Sequence, residues 1–154
     1  MGGDFVNYRE ATEADIPRLV EMGRHFLAAS SYREHLADNA EKMKETIATF
    51  IGNDLRKVIV CENGQGVSGM LAFFVYAHPL SGELLADELV WWVEPEARGA
   101  GIELLKRVEA MARSMGATKM QMVTPDERLG KLYERRGYHK IEVHYLKEFG
   151  GEVG

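Results

Sequence analysis

Apolar residues recur along this chain at two different periods, and the changes of period divide it into elements. Phe5 to Arg9 reads as a short first strand, after which Thr12, Glu13, Ala14 and Asp15 make a helix start of the capping-box kind. Ile16, Leu19, Val20, Gly23 and Phe26 or Leu27 follow at helical spacing. A polar stretch through Ser30, Ser31 and Tyr32 leads to Asp38 as the expected N-cap of a second helix. Its stripe is Ala40, Met43, Ile47, Phe50 and Ile51, and Gly52-Asn53 closes it. From Lys57 the period shortens. Val58 to Cys61 is a strand, Asn63-Gly64-Gln65-Gly66 a tight turn, and Val67 to His78 a longer strand rich in Phe and Val, so the pair reads as a hairpin.

Pro79 to Gly82 interrupts the chain, and Leu84 to Val93 supplies another strand that ends at Pro95. Strict alternation along it sets Glu88, Val90 and Trp92 on one face and Asp87, Leu89, Trp91 and Val93 on the other. Between Gly101 and Met115 the pattern is strongly helical, with Leu104, Leu105, Val108, Met111, Ala112 and Met115 on one stripe and Gly116 as the stop. Lys119 to Val123 is a strand. Thr124, Pro125 and Glu127 open a short helix carrying Leu129, Leu132 and Tyr133 and closed by Gly137, and Tyr138 to Glu148 ends the chain as one long strand or a hairpin. Strand, two helices, three strands, helix, strand, helix, strand is the order of an α/β (α+β) protein whose mixed sheet is covered by helices on both faces.

Length and composition narrow this further. With 154 residues, 45% hydrophobic and 28% charged, one ordinary core is expected, burying roughly 68 to 70% of the unfolded surface. Residues 1–149 form the expected single domain and 150–154 a flexible tail. Nineteen Lys and Arg stand against 24 Asp and Glu, a net charge of -5, which argues against a broad nucleic-acid-binding surface. No apolar run reaches the ~20 residues of a membrane span, and the first ten residues lack the pattern of a secretory signal, so a cytoplasmic location and no membrane partner are expected. The lone cysteine, Cys61, lies in an apolar strand and reads as a core residue. The five histidines show no metal-ligand spacing, and no metal site is expected.

The chemically informative segment is Glu94 to Leu105, E-P-E-A-R-G-A-G-I-E-L-L, between an apolar strand and an amphipathic helix. Small residues at Gly99, Ala100 and Gly101 let backbone amides approach a ligand at the point where the helix begins, with unpaired N–H groups and a positive dipole end. Such a place suits a phosphate group. An isolated G-x-G also serves a simple tight turn. Neither a Walker loop, which needs Lys-Ser or Lys-Thr at Ile102 and Glu103, nor a dinucleotide fingerprint, which needs glycine at Leu104, is met.

This loop follows E-L-V-W-W-V-E-P and precedes, one strand later, L-Y-E-R-R-G-Y at Leu132 to Tyr138. Together these segments resemble the GNAT superfamily of N-acetyltransferases, whose acetyl-CoA loop has Arg or Gln, two residues, Gly, one residue, then Gly or Ala; Arg98 and Gly101 fit, and Glu103 departs. The opening Tyr8 to Leu19 resembles the same superfamily's first strand and helix. The resemblance implies a splayed sheet of six to seven strands with four helices. In it, the strand ending at Trp92 and Val93 parts from Lys119 to Val123, and the pantetheine arm of acetyl-CoA (coenzyme A) pairs with the freed backbone. It implies cofactor contacts at Trp92, Val93, Arg98, Gly99, Ala100, Gly101, Ile102 and Glu103, and at Asp126, where many relatives carry Asn.

It further implies catalytic roles. Tyr133 holds the place of the family's general acid, and a phenol with a pKa near ~10 keeps its proton at neutral pH. Glu88, flanked by large apolar groups, is the candidate base, with its pKa raised by burial. The implied reaction is transfer of an acetyl group to a primary amine of a small molecule or peptide by direct attack in a ternary complex, with the Val93 amide polarising the thioester carbonyl. A non-catalytic acyl-CoA-binding sensor or interaction module of the same fold is the alternative, for which Glu103 and Asp126 would speak. Acceptor selectivity is expected from Arg24 to Asn53 and His78 to Glu83. A homodimer is a family-level expectation, with Trp91 and the last strand as contact surfaces.

Overall fold

The computed structural model describes residues 5–150, and the part of the expected tail beyond Gly150 lies outside the described residues. Five strands, β1 (Asn7–Glu10), β2 (Arg56–Asn63), β3 (Gly66–Ala77), β4 (Leu84–Val93) and β5 (Lys119–Gln121), form one sheet in the order β1-β2-β3-β4-β5. The first three pairings are antiparallel and β4 with β5 is parallel. Four α-helices accompany them: α1 (Ile16–Ala29), α2 (Ala40–Ala48), α3 (Gly101–Ser114) and α4 (Glu127–Arg135).

Local chemistry explains the element ends. The Thr12 amide donates to Asp15 Oδ2 at 2.8 Å, and Arg9 grips the same carboxylate at 2.7 and 3.0 Å, joining β1 to the start of α1. The N-cap of α2 is Asn39, which accepts from the Lys42 amide, one residue later than expected; Asp38 instead pairs with Arg24 at 2.9 Å. Gly116, at φ +97°, ends α3 in a conformation that favours glycine.

Each face of the sheet has its own core. Leu104, Leu105 and Val108 of α3 and Tyr133 of α4 pack on Leu71, Phe73, Val75 and Ala86. Leu19 and Met22 of α1, with Phe50 after α2, pack on Val58, Val60, Met70 and Ala72 on the other side. At full burial, each large apolar side chain contributes roughly 1.5–3 kcal/mol. These two layers fix β4, the strand that carries Glu88, Trp92 and Val93.

Two expectations are corrected here. The sheet has five strands rather than six to seven, because residues 138–150 adopt no strand and their backbone makes no hydrogen bond to the described β5. Strand β5 also stops at Gln121 instead of Val123, since the Val123 amide donates to the Glu88 carboxylate and its carbonyl accepts from the Tyr133 hydroxyl. With those groups engaged, no ladder continues past Gln121. The second correction concerns faces. Val90 pairs with Ala72 but Glu88 with Phe73, so Leu89 is an extra residue, a β-bulge that reverses the alternation. Glu88 therefore shares the α3 and α4 face with Trp91, whereas Val90 and Trp92 lie on the α1 face.

Candidate active site

Strands β4 and β5 pair only from Leu85–Lys119 to Asp87–Gln121, and β4 then runs on to Val93 without a neighbour on that side. The Glu94 amide donates to Ser68 O at 2.8 Å, which fixes the antiparallel alternation between β4 and β3. Trp92 accordingly turns its backbone groups to β3, while Trp91 and Val93 turn theirs into the gap. Of these, the Val93 carbonyl accepts from Arg98 Nε at 2.5 Å. The Val93 amide and both Trp91 groups have no ladder partner there, a costly state for buried backbone unless a ligand or water supplies one.

At the mouth of the gap, a 3-10 turn over Pro95–Ala100 leads directly into α3. Arg98 lies across the Trp92 ring, 4.8 Å from its centroid, so one side chain ties the turn to both Val93 and Trp92. Nothing would lie within 4 Å of a Cβ at Gly99. One at Gly101 would meet Trp91 Cζ2 at 3.6 Å and Val93 Cγ2 at 3.8 Å, so any larger side chain there would crowd the entrance. Gly99 and Ala100 end the 3-10 turn and Gly101, Ile102 and Glu103 begin α3 beside the gap, with the Gly101 amide donating to the Arg98 carbonyl. The Glu103 carboxylate turns along the helix to Arg107 Nε, 2.8 Å away, which holds its pKa below the ordinary value and offsets part of its charge at the helix start. Asp126 is the N-cap of α4, accepting from the Leu129 amide at 2.8 Å. Local partners account for both acidic departures that favoured the non-catalytic alternative.

The gap brings Glu88 and Tyr133 together on one residue. Glu88 Oε1 accepts from the Val123 amide at 2.9 Å and Tyr133 Oη donates to the Val123 carbonyl at 3.1 Å. Burial drives the Glu88 pKa up to about 7; the Val123 hydrogen bond pulls it down and the Asp87 charge adds to the rise. Burial, and then the Glu88 charge, raise the Tyr133 pKa above that of a free phenol, so its proton stays in place. The Tyr133 ring lies between Trp91 and Tyr138, at 6.1 and 5.4 Å between centroids. Trp91 Nε1 is buried without a hydrogen-bond partner in the same wall. A carboxylate poised to take a proton, a phenol that keeps one, and free donors along β4 suit transfer between a polar thioester and an amine.

Sequence reasoning missed Glu94. Its buried carboxylate accepts from Trp92 Nε1 at 2.6 Å and Arg18 at 3.1 Å and lies 3.0 Å from His25 Nδ1, clamping α1 to the end of β4. Burial raises its pKa, but the Trp92, His25 and Arg18 contacts outweigh burial and leave it lowered. The available signal was an acid placed between a strongly apolar strand and a proline. On the α1 face, Asp87 accepts from Gln121 Nε2 at 3.2 Å, and the same nitrogen reaches Tyr76 Oη at 3.1 Å. Among the described residues no group of three His, Cys, Asp or Glu side chains is arranged to hold a metal ion. None of their helices is long and apolar enough to cross a membrane.

Comparison with known proteins agrees with this geometry. A putative acetyl transferase from Pyrococcus furiosus is 22% identical, with a TM-score of 0.74 over 94% of this chain and 100% of that one. A transcriptional regulator from Bacillus halodurans C-125 is 23% identical, with a TM-score of 0.73 over the same shares. Glucosamine-6-phosphate N-acetyltransferase from Arabidopsis thaliana is 15% identical, with a TM-score of 0.72 over 96% of this chain and 100% of that one. At these identities the likeness establishes the fold. No curated protein matches the sequence at a significant level. The model of the acetyltransferase (GNAT) family matches residues 21–138, a span that contains the bulged strand, the turn into α3, and both Glu88 and Tyr133. The chain therefore belongs to the GNAT family of acetyltransferases.

Proposed function

We propose that this protein transfers an acetyl group from acetyl-CoA to a primary amine of a small molecule or peptide, by direct attack within a ternary complex. The single observation that carries the proposal is the gap in the sheet beside the first turn of α3, with a proton acceptor and a proton donor joined at Val123. The residues present fit acetyl-CoA: the β4 edge at Trp91 and Val93 offers unpaired backbone groups, Trp91 Nε1 lacks a partner, and Gly101 leaves the entrance open. The amides of Ile102 and Glu103, at the positive end of α3, would hold its diphosphate, and Gly99, Ala100 and Gly101 leave it room to approach. Arg98 and Trp92 brace that turn, Ala100 is buried in the core beneath it, and Ile102 follows in the first turn of α3. Asp126 acts on the far wall by fixing the start of α4. When bound, acetyl-CoA supplies an acetyl group activated as a thioester.

The remaining work falls to this chain's own groups. Glu88 Oε2, free of the Val123 bond, takes the proton of the acceptor nitrogen through a water, and a pKa near 7 matches that task at neutral pH. The Val93 amide is the donor for the carbonyl oxygen. Tyr133 Oη carries the proton that the departing sulfur needs. A covalent acyl-enzyme has no support, since the only cysteine, Cys61, is buried and its thiol pKa is pushed up by burial. Beside α1 and its connection to α2 lies a cleft of about 460 Å³ lined by Arg24, Leu27, Ala28, Arg33, Glu34, Leu36 and Asp38, to which we assign the acceptor. Both signs of charge occur there, which suits an amine that also carries an anionic or hydroxyl group.

The test is release of free thiol from acetyl-CoA across a panel of polyamines, aminoglycosides, amino acids and peptide N-termini, with thermal unfolding in parallel. Turnover with at least one amine is expected. Stabilisation by acetyl-CoA with no turnover on any amine would leave a binding module, and no stabilisation at all would remove the cofactor assignment.

A further inference from the structure

On the α1 face, one row of paired residues crosses four strands: Arg56 of β2 pairs with Phe74 of β3, Phe74 with Asp87 of β4, and Asp87 with Gln121 of β5. Directly opposed residues share a face, so a guanidinium, an aromatic ring, a carboxylate and an amide stand side by side. Asp87 and Gln121 are also the last pair of the β4–β5 ladder, and the row therefore ends where the gap opens. Gln121 Nε2 donates to both Asp87 Oδ2 and Tyr76 Oη, which fixes the carboxylate and leaves Oδ1 without a side-chain donor. Among the described residues no lysine or arginine pairs with Asp87; the charges that act on it are those of Glu142 and His144. Half-buried and unneutralised, it gains from a cation placed at Oδ1. Next to Asp87 lies a cavity of about 210 Å³ lined by Thr46, Phe50, Arg56, Phe74 and Leu89. Two of its walls are close neighbours of Asp87: Phe74 is its cross-strand partner, and Leu89, the bulged residue, lies two positions along β4. Leu89 is 41% exposed, so this apolar wall is open to whatever enters. Arg56 closes one side, its guanidinium 5.6 Å from the Phe50 ring centroid and its Nη1 donating to Thr49 Oγ1 at 3.0 Å. A pocket with apolar walls and a cation at its rim accepts an apolar side chain and repels a charged amine.

We propose that this row recognises the first residue of a peptide acceptor: the α-ammonium sits on Asp87 at the opening of the gap, and a large apolar or aromatic side chain fills the cavity between Phe50, Phe74 and Leu89. The proposal rests on the acetyltransferase reading above and narrows its acceptor from any primary amine to a peptide N-terminus of this kind. The cleft beside α1 is left for the residues that follow. Charge selects the peptide over a free amino acid. In an amino acid the carboxylate hangs from the same carbon as the amine, so binding at Asp87 brings a further negative charge against Asp87 and the adjacent Glu88. A peptide has a neutral carbonyl in that position. Charge also selects the side chain: Arg56 opposes lysine or arginine in the cavity, whereas Phe74 and Leu89 favour apolar area. The amine then stands one residue along β4 from Glu88, the group that takes its proton.

Thiol release from acetyl-CoA with short peptides that differ only in their first residue tests this, alongside calorimetry of the same peptides on the full chain with coenzyme A bound. Peptides beginning with Phe or Leu should exceed those beginning with Gly or Lys by about tenfold or more in kcat/KM, the gain expected from burying one large apolar side chain. Phenylalaninamide should outperform phenylalanine, which carries the extra carboxylate. Asp87→Asn should raise KM about tenfold for all of them while coenzyme A binds as in the wild type. Leu89→Ala should shrink the preference for Phe over Gly several-fold, and Arg56→Glu should raise activity toward the Lys-first peptide. Leu89 and Arg56 are both exposed, so these variants keep the fold. Equal kcat/KM for the Phe and Gly peptides overturns the proposal, as does a preference that neither Leu89→Ala nor Arg56→Glu alters. Turnover confined to polyamines or aminoglycosides overturns it and leaves the acetyltransferase reading standing. Absence of turnover with every amine fails that reading, and calorimetry then decides this one: binding of the Phe peptide that Asp87→Asn and Leu89→Ala weaken supports the site, and no binding removes it.

Discussion

Replacing Glu88 with Gln isolates the cost of keeping a carboxylate in the gap. Gln is nearly isosteric and still accepts from the Val123 amide, so the change removes ionisation and little else. Burial moves the Glu88 pKa from 4.5 in the unfolded chain to about 7 in the folded one. The folded protein therefore binds this proton more tightly, and stability falls as pH rises through the window between the two values. Below about pH 4.5 the group contributes no penalty; above about pH 7 it costs roughly 3 kcal/mol, a substantial share of the 5–15 kcal/mol typical of a domain. Urea unfolding of wild type and Glu88→Gln, measured from about pH 4 to about pH 8, should thus begin with equal stabilities and diverge until the variant leads by up to about 3 kcal/mol. Activity should move oppositely. Wild-type kcat/KM should rise through about pH 7 as the base ionises, and the variant should lose that limb along with about 10²-fold or more in rate. Stability profiles that run parallel across this range would refute the reasoning, because the carboxylate would then ionise as freely as in water.

Tyr133→Phe should reduce kcat about a hundredfold while leaving acetyl-CoA affinity within about twofold, measured by steady-state kinetics and calorimetry; loss of the bond to the Val123 carbonyl should cost ~1 kcal/mol of stability. Glu103→Ala should tighten acetyl-CoA binding several-fold, with the gain shrinking as salt is added, since it removes a negative charge from the first turn of α3. Gly69→Ala should destabilise by about 1–3 kcal/mol, because its Cβ would stand 2.7 Å from Cys61 Sγ and 3.3 Å from the Trp92 carbonyl; adding Cys61→Ala should restore part of the loss in thermal unfolding.

What the sequence revealed, and what it hid, divides by the range of the interactions. Helix α3 was legible because its apolar stripe and Gly116 act over one or two turns, and the turn at Asn63 to Gly66 because Asn63 Oδ1 accepts from Gln65 only two residues on. The bulge at Leu89 was not. An extra residue leaves the run Leu84 to Val93 looking like uninterrupted strand, and only the register against Ala72 and Phe73 shows that the alternation reverses. That reversal moves Glu88 off the face of Trp92 and onto that of Tyr133, a relation that alternation alone denied. Strand β5 was overextended and the last strand assigned because each has β pattern, but a strand needs a ladder partner as well as a pattern, and Glu88 and Tyr133 occupy the Val123 groups that would have continued it. Glu94 went unnoticed since its three partners come from β4 and from α1, about 70 residues earlier.

Several costs of this fold meet in one place. Within one wedge between β4 and β5 stand a carboxylate with its pKa raised, an indole N–H without a partner, a β4 edge that has no neighbour on the β5 side beyond Asp87, and a strand that ends after three residues. Elsewhere buried carboxylates are well matched: Asp15 by Arg9 and Thr12, Glu94 by Arg18, His25 and Trp92. A sequence able to satisfy those groups could also have satisfied the wedge, for instance with an apolar residue at position 88 and a β5 continued to Val123. Leaving it open is consistent with a group that arrives later and carries its own donors and acceptors, as acetyl-CoA does. It follows that acetyl-CoA should stabilise the wild type more than it stabilises Trp91→Phe, whose free form no longer buries the unpaired indole N–H, and a thermal-unfolding titration yielding equal shifts for the two would place the ligand elsewhere.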